Sequence, residues 1–231
     1  MNLKTRSHAE EQMDAADLPE ADYAALLADL SQVNALTMAS RPTLAFLSRI
    51  AAKGGRIKLL DVGFGHGDML RRIARWAAKR GIEVELVGTD LNPRSAEVAR
   101  AATDPALRID YRAGDYADLA GQGWDAIVSS LVAHHMTHDQ LIAFLRFMES
   151  ESAKGWLVND LHRHGLAHFG FPWLARTMGW HRIVREDGTL SIARAYRPVE
   201  WPPLLAEAGI PAGAAEVKRV FPFRLCVERL R

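Results

Sequence analysis

The stretch from residue 61 to residue 67 combines residue types that suit ligand binding. It reads Asp61-Val62-Gly63-Phe64-Gly65-His66-Gly67, with three glycines at every second position after a carboxylate. An apolar run precedes it and a helical pattern follows, so it joins a strand to a helix. Because glycine has no side chain, a ligand can lie directly against the backbone of such a turn. We therefore predict a ligand site at this turn.

A second carboxylate, Asp90, closes the next apolar run, 84–89. A glycine turn with an acid at the end of the following strand is how an open α/β sheet holds an adenosine-type ligand. A dinucleotide-binding turn fits less well, because Asp68 stands where that turn needs a small residue. A phosphate-binding P-loop does not fit either, because the Gly-Lys-Ser/Thr ending of such loops is absent.

The spacing of Asp61 and the three glycines resembles motif I of the class I S-adenosylmethionine-dependent methyltransferases. The resemblance implies S-adenosyl-L-methionine as the cofactor, with Asp90 accepting hydrogen bonds from both ribose hydroxyls and Asp115 beside the adenine amino group. Trp124–Ser130 resembles the fourth strand of that family, whose end contacts cofactor and substrate. The cofactor-binding residues implied in this way are Asp61, Gly63, Phe64, Gly65, Gly67, Asp90, Leu91, Gly114, Asp115, Tyr116, Ser129 and Ser130.

From residue 57 onward, strand and helix patterns alternate. Strands are predicted at 57–62, 83–89, 108–112, 124–129 and 155–160, and helices at 68–80, 94–103, 138–149 and 198–208. Such alternation indicates a parallel sheet with helices on both faces. The predicted fold class is α/β, with a Rossmann-like, seven-stranded, mostly parallel sheet. Strands at 215–220 and 224–230 complete it as a terminal antiparallel hairpin, as the resemblance implies.

Two further segments frame this alternation. Residues 1–54 are predicted to form an N-terminal helical cap with two helices after a frayed start at 1–16, and 55–231 to form the methyltransferase domain. A helical insertion is predicted at 161–195, after the fifth strand. Within it we expect one or two helices at 161–181 and an irregular or hairpin segment at 182–195.

Histidines follow the ends of two neighbouring strands. His134 and His135 come after the fourth strand, and His162, His164 and His168 come after the fifth. Ligands bind at the carboxyl ends of strands in open α/β sheets, and histidine is suited to removing a proton near neutral pH. His134, His135 and His162 are therefore candidate catalytic bases, with a capping or packing role as the alternative for each ring.

The inserted segment is rich in large apolar side chains, which either line a pocket for a flat acceptor or pack the insertion onto the core. They are Phe169, Phe171, Trp173, Met178 and Trp180. The histidines suit removal of a proton from a hydroxyl acceptor such as a phenol. The segment 159–164 and the preceding His134-His135 resemble a bacterial small-molecule group of the same methyltransferase family, which implies O-methylation of a phenolic or polyketide-type hydroxyl on a small, aromatic methyl acceptor. The alternatives are a C-methyltransferase acting on a quinone or polyketide ring, and a non-catalytic S-adenosylmethionine-binding protein. Ser129-Ser130-Leu131-Val132 replaces the N/D-P-P-Y motif of amino-group methyltransferases, which counts against DNA and protein glutamine as substrates.

Composition limits the function classes further. Lys+Arg number 29 against Asp+Glu 28, a net charge of +1, whereas a nucleic-acid surface needs clustered positive charge. No metal is expected, because Cys226 is the single cysteine and the carboxylates near the histidines, Asp139 and Asp160, lack recognisable ligand spacing. No run is long enough to span a membrane and the start has no signal-peptide core. We expect a cytoplasmic monomer or homodimer with no nucleic-acid partner.

Overall fold

The computed structural model describes residues 3–15, 18–52 and 54–231. Its centre is a seven-stranded sheet in the order β3-β2-β1-β4-β5-β7-β6. The strands are β1 (Ile57–Val62), β2 (Val84–Asp90), β3 (Ile109–Ala113), β4 (Trp124–Ser130), β5 (Ser152–Leu161), β6 (Glu216–Val220) and β7 (Arg224–Leu230). The pairs among β1 to β5 are parallel, and β7 pairs antiparallel with both β5 and β6. This topology confirms the predicted α/β sheet with its terminal hairpin.

Eight α-helices surround the sheet in the part of the chain that is described. They are α1 (Glu20–Leu36), α2 (Ser40–Ala51), α3 (Asp68–Arg80), α4 (Pro93–Ala101), α5 (His138–Glu151), α6 (Gly165–Thr177), α7 (Arg182–Arg194) and α8 (Trp201–Glu207). Two clusters of buried side chains, one on each face of the sheet, form the main core. A third cluster joins α1 to α6 and α7. No helix among the described residues has the length and apolarity needed to cross a membrane.

The strand order reverses beside β1, whose neighbours are β2 on one side and β4 on the other. In open α/β sheets the crevice at such a reversal, at the carboxyl ends of the strands, is where ligands bind. The glycine turn at 63–67 leaves β1 at this point, and the segment carrying His134 leaves β4 beside it. The sheet therefore brings the two predicted halves of the site to one edge.

The prediction of an irregular or hairpin segment at 182–195 is wrong, because α7 occupies it. Ile183, Val184, Ser191 and Ile192 are buried on one face of this helix, and His181 caps its first turn by accepting a hydrogen bond from the backbone N–H of Ile183. The glycine inside the helix, Gly188, lies where α6 packs closely. A Cβ added there would lie 2.2 Å from Cε1 of Phe171, so this glycine reflects helix packing and not a chain break.

The prediction of a frayed start is also wrong for residues 3–15; residues 1, 2 and 16 lie outside the described part. The backbone N–H groups of Gln12 and Met13 donate to the Asp187 carboxylate, at 3.1 and 2.9 Å. Glu11 is buried and accepts a hydrogen bond from the Ser191 hydroxyl at 2.8 Å. The segment is thereby fixed against α7. The boundary between a cap at 1–54 and a domain at 55–231 stays a prediction.

Candidate active site

A cavity of about 760 Å³ opens at the carboxyl ends of β1, β2, β4 and β5. The glycine turn and Asp90 line one part of it, and His134, His135 and Leu161 line another. Apolar side chains from α1, α6 and α7 close it from above, among them Leu26, Leu30, Phe171, Leu174, Ile183 and Val184. One cavity therefore contacts both predicted cofactor residues and two of the predicted bases.

The three glycines of the turn serve different purposes. All have positive φ, between 51° and 78°, which favours glycine. A Cβ at Gly63 would lie 2.3 Å from Cγ2 of Val132, and one at Gly67 would lie 2.6 Å from the Tyr111 hydroxyl, so both allow close packing of protein on protein. At Gly65 the nearest atom is Leu27 Cδ2, 3.7 Å away. Gly63 and Gly65 both line the cavity, whereas Gly67 does not, and Gly65 is the glycine of the turn with open space beside its Cα.

Asp61 is a buried carboxylate that lines the cavity, with 1% of its surface exposed. Neither of its side-chain oxygens has a hydrogen-bond partner among the described residues. Burial raises the pKa of Asp61 to about 8, and the charges of Asp68 and Asp90 act in the same direction. Because a buried carboxylate without donors is costly, this position suits a ligand that brings a cationic donor.

Asp90 fixes the turn to the end of β2. Its Oδ2 accepts a hydrogen bond from the backbone N–H of Gly65 and its Oδ1 accepts one from that of Asn92, both at 2.9 Å. The side chain lines the cavity beside Phe64, which packs on the Tyr111 ring with centroids 4.9 Å apart. Asp90 and Gly65 therefore form one hydrogen-bonded wall of the site.

The remaining predicted cofactor residues divide into two groups. Leu91, Gly114, Tyr116 and Ser130 line the cavity. Asp115 is exposed, lies outside the lining, and caps the short helical turn Tyr116–Leu119 by accepting from the N–H of Ala117. Ser129 is buried and donates its hydroxyl to the Val62 carbonyl at 2.9 Å, also outside the lining. Cofactor contact by any of these residues stays a prediction.

His134 is held in one orientation by Asp160. Its Nδ1 lies 2.7 Å from Oδ1 of Asp160, and its backbone N–H donates to Oδ2 at 2.9 Å. Burial alone would raise the pKa of Asp160, but the charge and hydrogen bonds of His134 outweigh it and lower that pKa. An ionised carboxylate only accepts, so Nδ1–H donates to Asp160 in both protonation states of the ring, and in the neutral ring Nε2 is the basic nitrogen.

The backbone around His134 is fixed on both sides. Leu131 has a φ of 64°, a left-handed conformation that few branched residues adopt. Past it, the carbonyl of His134 accepts from Arg6 Nη2 at 2.7 Å and from Arg194 Nε at 3.2 Å. Strain of this kind persists where surrounding contacts impose it, often at functional sites. Two arginines and Asp160 therefore position one histidine at the cavity.

Glu11 completes a group with the two histidines. Its Oε1 lies 3.8 Å from Nε2 of His134, and its Oε2 lies 3.8 Å from Nε2 of His135. One ligand atom from each residue lies within 4.8 Å of the others, so the three could hold a metal ion. However, Arg194 Nε is also 3.8 Å from Glu11 Oε1. A guanidinium at that position opposes binding of a second cation.

His162 does not reach the cavity lining. It lies in the turn after β5, where burial first, and then the charges of His164 and nearby arginines, lower its pKa. His164 caps α6 by accepting from the N–H of Leu166, and His168 lies with Nδ1 3.2 Å from the Thr189 carbonyl. The sheet thus brings His134 and His135 to the site and leaves His162 outside it.

Of the five large apolar residues of the insertion, for which pocket lining and packing onto the core were the two alternatives, only Phe171 lines the cavity. Phe169, Trp173 and Met178 are exposed by 65%, 74% and 48%. Trp180 is buried, but in the cluster between α1, α6 and α7. The helical period of α6 explains the difference, because one face of the helix covers the cavity and the other faces solvent.

Residues 59–151 match the model of the methyltransferase domain family, and they contain the glycine turn, Asp90 and the segment carrying His134. These residues therefore form a methyltransferase domain. Its fold is similar to that of the plantazolicin methyltransferase BpumL, solved in complex with a triazolic desmethylPZN analog and SAH. The TM-score is 0.63 at 13% sequence identity, over 89% of this chain and 90% of that one. At that identity the similarity shows the fold alone.

Two curated relatives are similar to this chain in sequence. A Mycobacterium tuberculosis protein named "Probable fatty acid methyltransferase" is 32% identical over 44% of this chain. A Talaromyces marneffei protein, "Non-reducing polyketide synthase pks11", is 27% identical over 67% of this chain. The matched regions span 23% and 7% of those two proteins, so both relatives are far longer than the part they share with this chain.

Two candidate functional residues of this chain, Glu11 and Arg224, were not predicted from the sequence. Glu11 lies in a polar stretch without periodicity, and nothing local signals its burial beside His134. Arg224, at the start of β7, lines the cavity with 2% of its surface exposed. A charged residue directly before the buried run Leu225-Cys226-Val227 was the one available signal, because arginine is rarely fully buried without a reason.

Proposed function

We propose that this chain transfers a methyl group from S-adenosylmethionine to a hydroxyl group of a phenolic or polyketide-type small molecule. The observation that carries the proposal is His134, which Asp160 holds in place and which lines the same cavity as the glycine turn and Asp61. A hydroxyl acceptor needs a base, whereas donor binding alone does not. Relatives named for fatty acid and polyketide chemistry agree with a small-molecule acceptor.

The residues of the turn fit the donor. Asp61 offers an unpartnered buried carboxylate to an ammonium group, and Gly65 offers open backbone. Asp90, at the end of β2, is positioned to accept from a ribose diol. When bound, S-adenosylmethionine supplies an electrophilic methyl group on a positively charged sulfur.

The acceptor half of the site supplies a base and an apolar enclosure. His134 Nε2 accepts the hydroxyl proton, while Asp160 accepts from Nδ1–H and stabilises the resulting imidazolium. Apolar side chains from α6 and α7 line this part of the cavity, and such walls limit the access of water to reacting groups. Because transfer from a sulfonium is an in-line substitution, most of the remaining work is to position the two reactants.

Calorimetric titration with S-adenosylmethionine and a transfer assay test the proposal together. We expect saturable donor binding, and O-methyl products by mass spectrometry when phenols are supplied with methyl-labelled donor. If the protein does not bind S-adenosylmethionine at millimolar concentration, the proposal is wrong. Binding without transfer to any acceptor would favour a non-catalytic donor-binding protein, and methylated ring carbon would favour C-methylation.

Asp90→Ala tests the donor site. We expect the affinity for S-adenosylhomocysteine to fall about tenfold to a hundredfold, since hydrogen bonds to a charged group are worth about 1.5–3 kcal/mol. Calorimetry measures the loss, and Asp110→Ala, an exposed carboxylate on β3, is the matched control. Equal affinities for Asp90→Ala and the unsubstituted protein would exclude Asp90 from donor binding.

Chelation separates general-base catalysis from metal catalysis. We expect dialysis against EDTA to leave turnover within about twofold of its starting value, because Arg194 already places a positive charge beside Glu11. Turnover is measured before and after dialysis, with metal content determined by mass spectrometry. Activity lost to EDTA and restored by one divalent metal would instead assign Glu11, His134 and His135 as its ligands.

A further inference from the structure

Arg224 is a buried cation at the cavity that the chain itself leaves incompletely bonded. It begins β7, and its Cα pairs with Leu161 at the end of β5. The side chain is 2% exposed and lines the cavity. Nη2 donates to the Thr37 hydroxyl at 3.2 Å, whereas Nη1 has no hydrogen-bond partner within residues 3–15, 18–52 and 54–231. A guanidinium buried in this way favours an anionic partner.

The two carboxylates whose charges act on Arg224, Asp160 and Asp68, form their hydrogen bonds with other residues. Both Asp160 oxygens accept from His134, and Oδ1 also accepts from the N–H of Leu161. Asp68 bonds to the Asn34 side chain, and burial raises its pKa. Arginine remains protonated even when burial lowers its pKa, as it does here. A carboxylate from a ligand would therefore supply the fork of acceptors that Arg224 lacks.

The position of Arg224 in the sheet indicates which ligand brings that carboxylate. From Asp61 on β1 the order runs through β4 and β5 to β7, so the backbones of Asp61 and Arg224 are about 14 Å apart at the usual strand spacing. A donor whose ammonium group meets Asp61 keeps its own carboxylate beside Asp61, because one carbon carries both groups. Arg224 instead lies next to Asp160 and Leu161, on the side of the sheet that holds His134.

We propose that Arg224 binds a carboxylate of the methyl acceptor, so that the acceptor is an apolar hydroxy acid. This proposal rests on the proposed function in naming that ligand as the methyl acceptor. The cavity that Arg224 and His134 line is also lined by Leu161 and by residues of α6 and α7 such as Phe171 and Ile183, which suit an apolar body. The carboxylate would then fix one end of the acceptor while its hydroxyl meets His134.

A matched pair of phenols tests the proposal by calorimetry, with the protein saturated with S-adenosylhomocysteine. The probes are 5-(4-hydroxyphenyl)pentanoate and 4-pentylphenol, which share the phenol and differ in the acid. We expect the unsubstituted protein to bind the acid at least tenfold more tightly. Arg224→Gln should remove that preference without changing the affinity for S-adenosylhomocysteine, and Arg224→Lys should retain part of it. Arg219→Gln, which removes an exposed arginine on β6, should change nothing.

Three results would overturn the proposal. The first is that the unsubstituted protein binds neither phenol, or binds the acid no more tightly than 4-pentylphenol. This result does not depend on the folding of any variant. The second is weaker S-adenosylhomocysteine binding in Arg224→Gln with the acid preference intact, which would assign the guanidinium to the donor carboxylate. The third is an acid preference that survives both Arg224 variants. If no donor analogue binds, the proposed function fails, while an acid preference that depends on Arg224 would still establish the carboxylate site.

Discussion

Replacing His134 by Gln is expected to lower methyl transfer to a phenol by a factor of about a hundred to ten thousand, the usual contribution of a positioned acid or base. Gln keeps a polar side chain of similar reach but cannot take up the hydroxyl proton. The affinity for S-adenosylhomocysteine should stay within about twofold, because His134 follows β4 while the turn and Asp90 follow β1 and β2. Single-turnover transfer and calorimetry measure the two quantities on the same preparation.

The control for this variant is His138→Gln. His138 is an exposed histidine four residues along, paired with Glu207 at 3.0 Å and outside the cavity lining. Its loss should leave transfer unchanged. Asp160→Asn should reproduce most of the His134 defect, because an amide can donate to Nδ1 and leave the proton on Nε2. Circular dichroism and Tm establish that each variant folds, since Asp160 also holds the His134 backbone.

Full transfer rates in both His134→Gln and His135→Gln would show that neither histidine is the base. A rate lost only in His135→Gln would move the role to the neighbouring, more exposed ring, whose side chain is 29% exposed against 2% for His134. Transfer to a ring carbon at a rate that does not change in His134→Gln, His135→Gln or Asp160→Asn would favour the C-methyltransferase alternative. The rate pattern therefore separates the two histidines and the two chemistries.

The donor half of the molecule could be predicted from sequence because its signals are local. The predicted bounds of β1 and α3 agree with Ile57–Val62 and Asp68–Arg80, since an apolar run, a glycine turn and a helical period lie within two dozen residues. Even here, the reason for two glycines differs from the prediction. Val132 and Tyr111 fill the space beside Gly63 and Gly67, and those contacts come from residues distant in sequence.

The acceptor half could not be predicted in the same way, because distant contacts create it. Glu11 is buried through a hydrogen bond to Ser191 across 180 positions, and no periodicity in a short polar stretch records that. α7, which was not predicted, depends on packing against α6, where Phe171 lies directly against Gly188. Arg224 gains its place from the β5–β7 pairing. Local propensity gives way to tertiary contact at each of these positions.

Asp61→Asn is expected to stabilise the ligand-free protein at alkaline pH. The folded protein holds Asp61 with a pKa of about 8, against about 3.9 in an unfolded chain. Between these values the folded state binds more protons than the unfolded state, so the free energy of unfolding falls as the pH rises. Asn has a similar shape and cannot ionise. Above pH 8 the variant should be more stable by up to about 5 kcal/mol, since one pKa unit is worth about 1.4 kcal/mol.

The same substitution is expected to weaken donor binding. At pH 7 the Asp61 carboxyl of the free protein is mostly protonated, and an ammonium group favours its ionised form, so binding should release up to one proton. Titration of S-adenosylhomocysteine in two buffers of different ionisation enthalpy measures that release. Asp61→Asn should abolish it and lower the affinity about tenfold to a hundredfold, the loss of one charge-assisted contact. Asp139→Asn, an exposed carboxylate on α5, should alter neither quantity.

The two effects of Asp61→Asn have a common cause, and this makes their combination informative. If the Asp61 carboxylate served only to hold the glycine turn, its substitution would make the protein less stable and would not change the release of protons on donor binding. A carboxylate kept for an ammonium group is costly when the site lacks a ligand and favourable when the donor is bound. Higher stability above pH 8 together with weaker, proton-silent binding would therefore identify Asp61 as the ammonium acceptor. Lower stability with unchanged affinity and proton release would assign it a purely structural role.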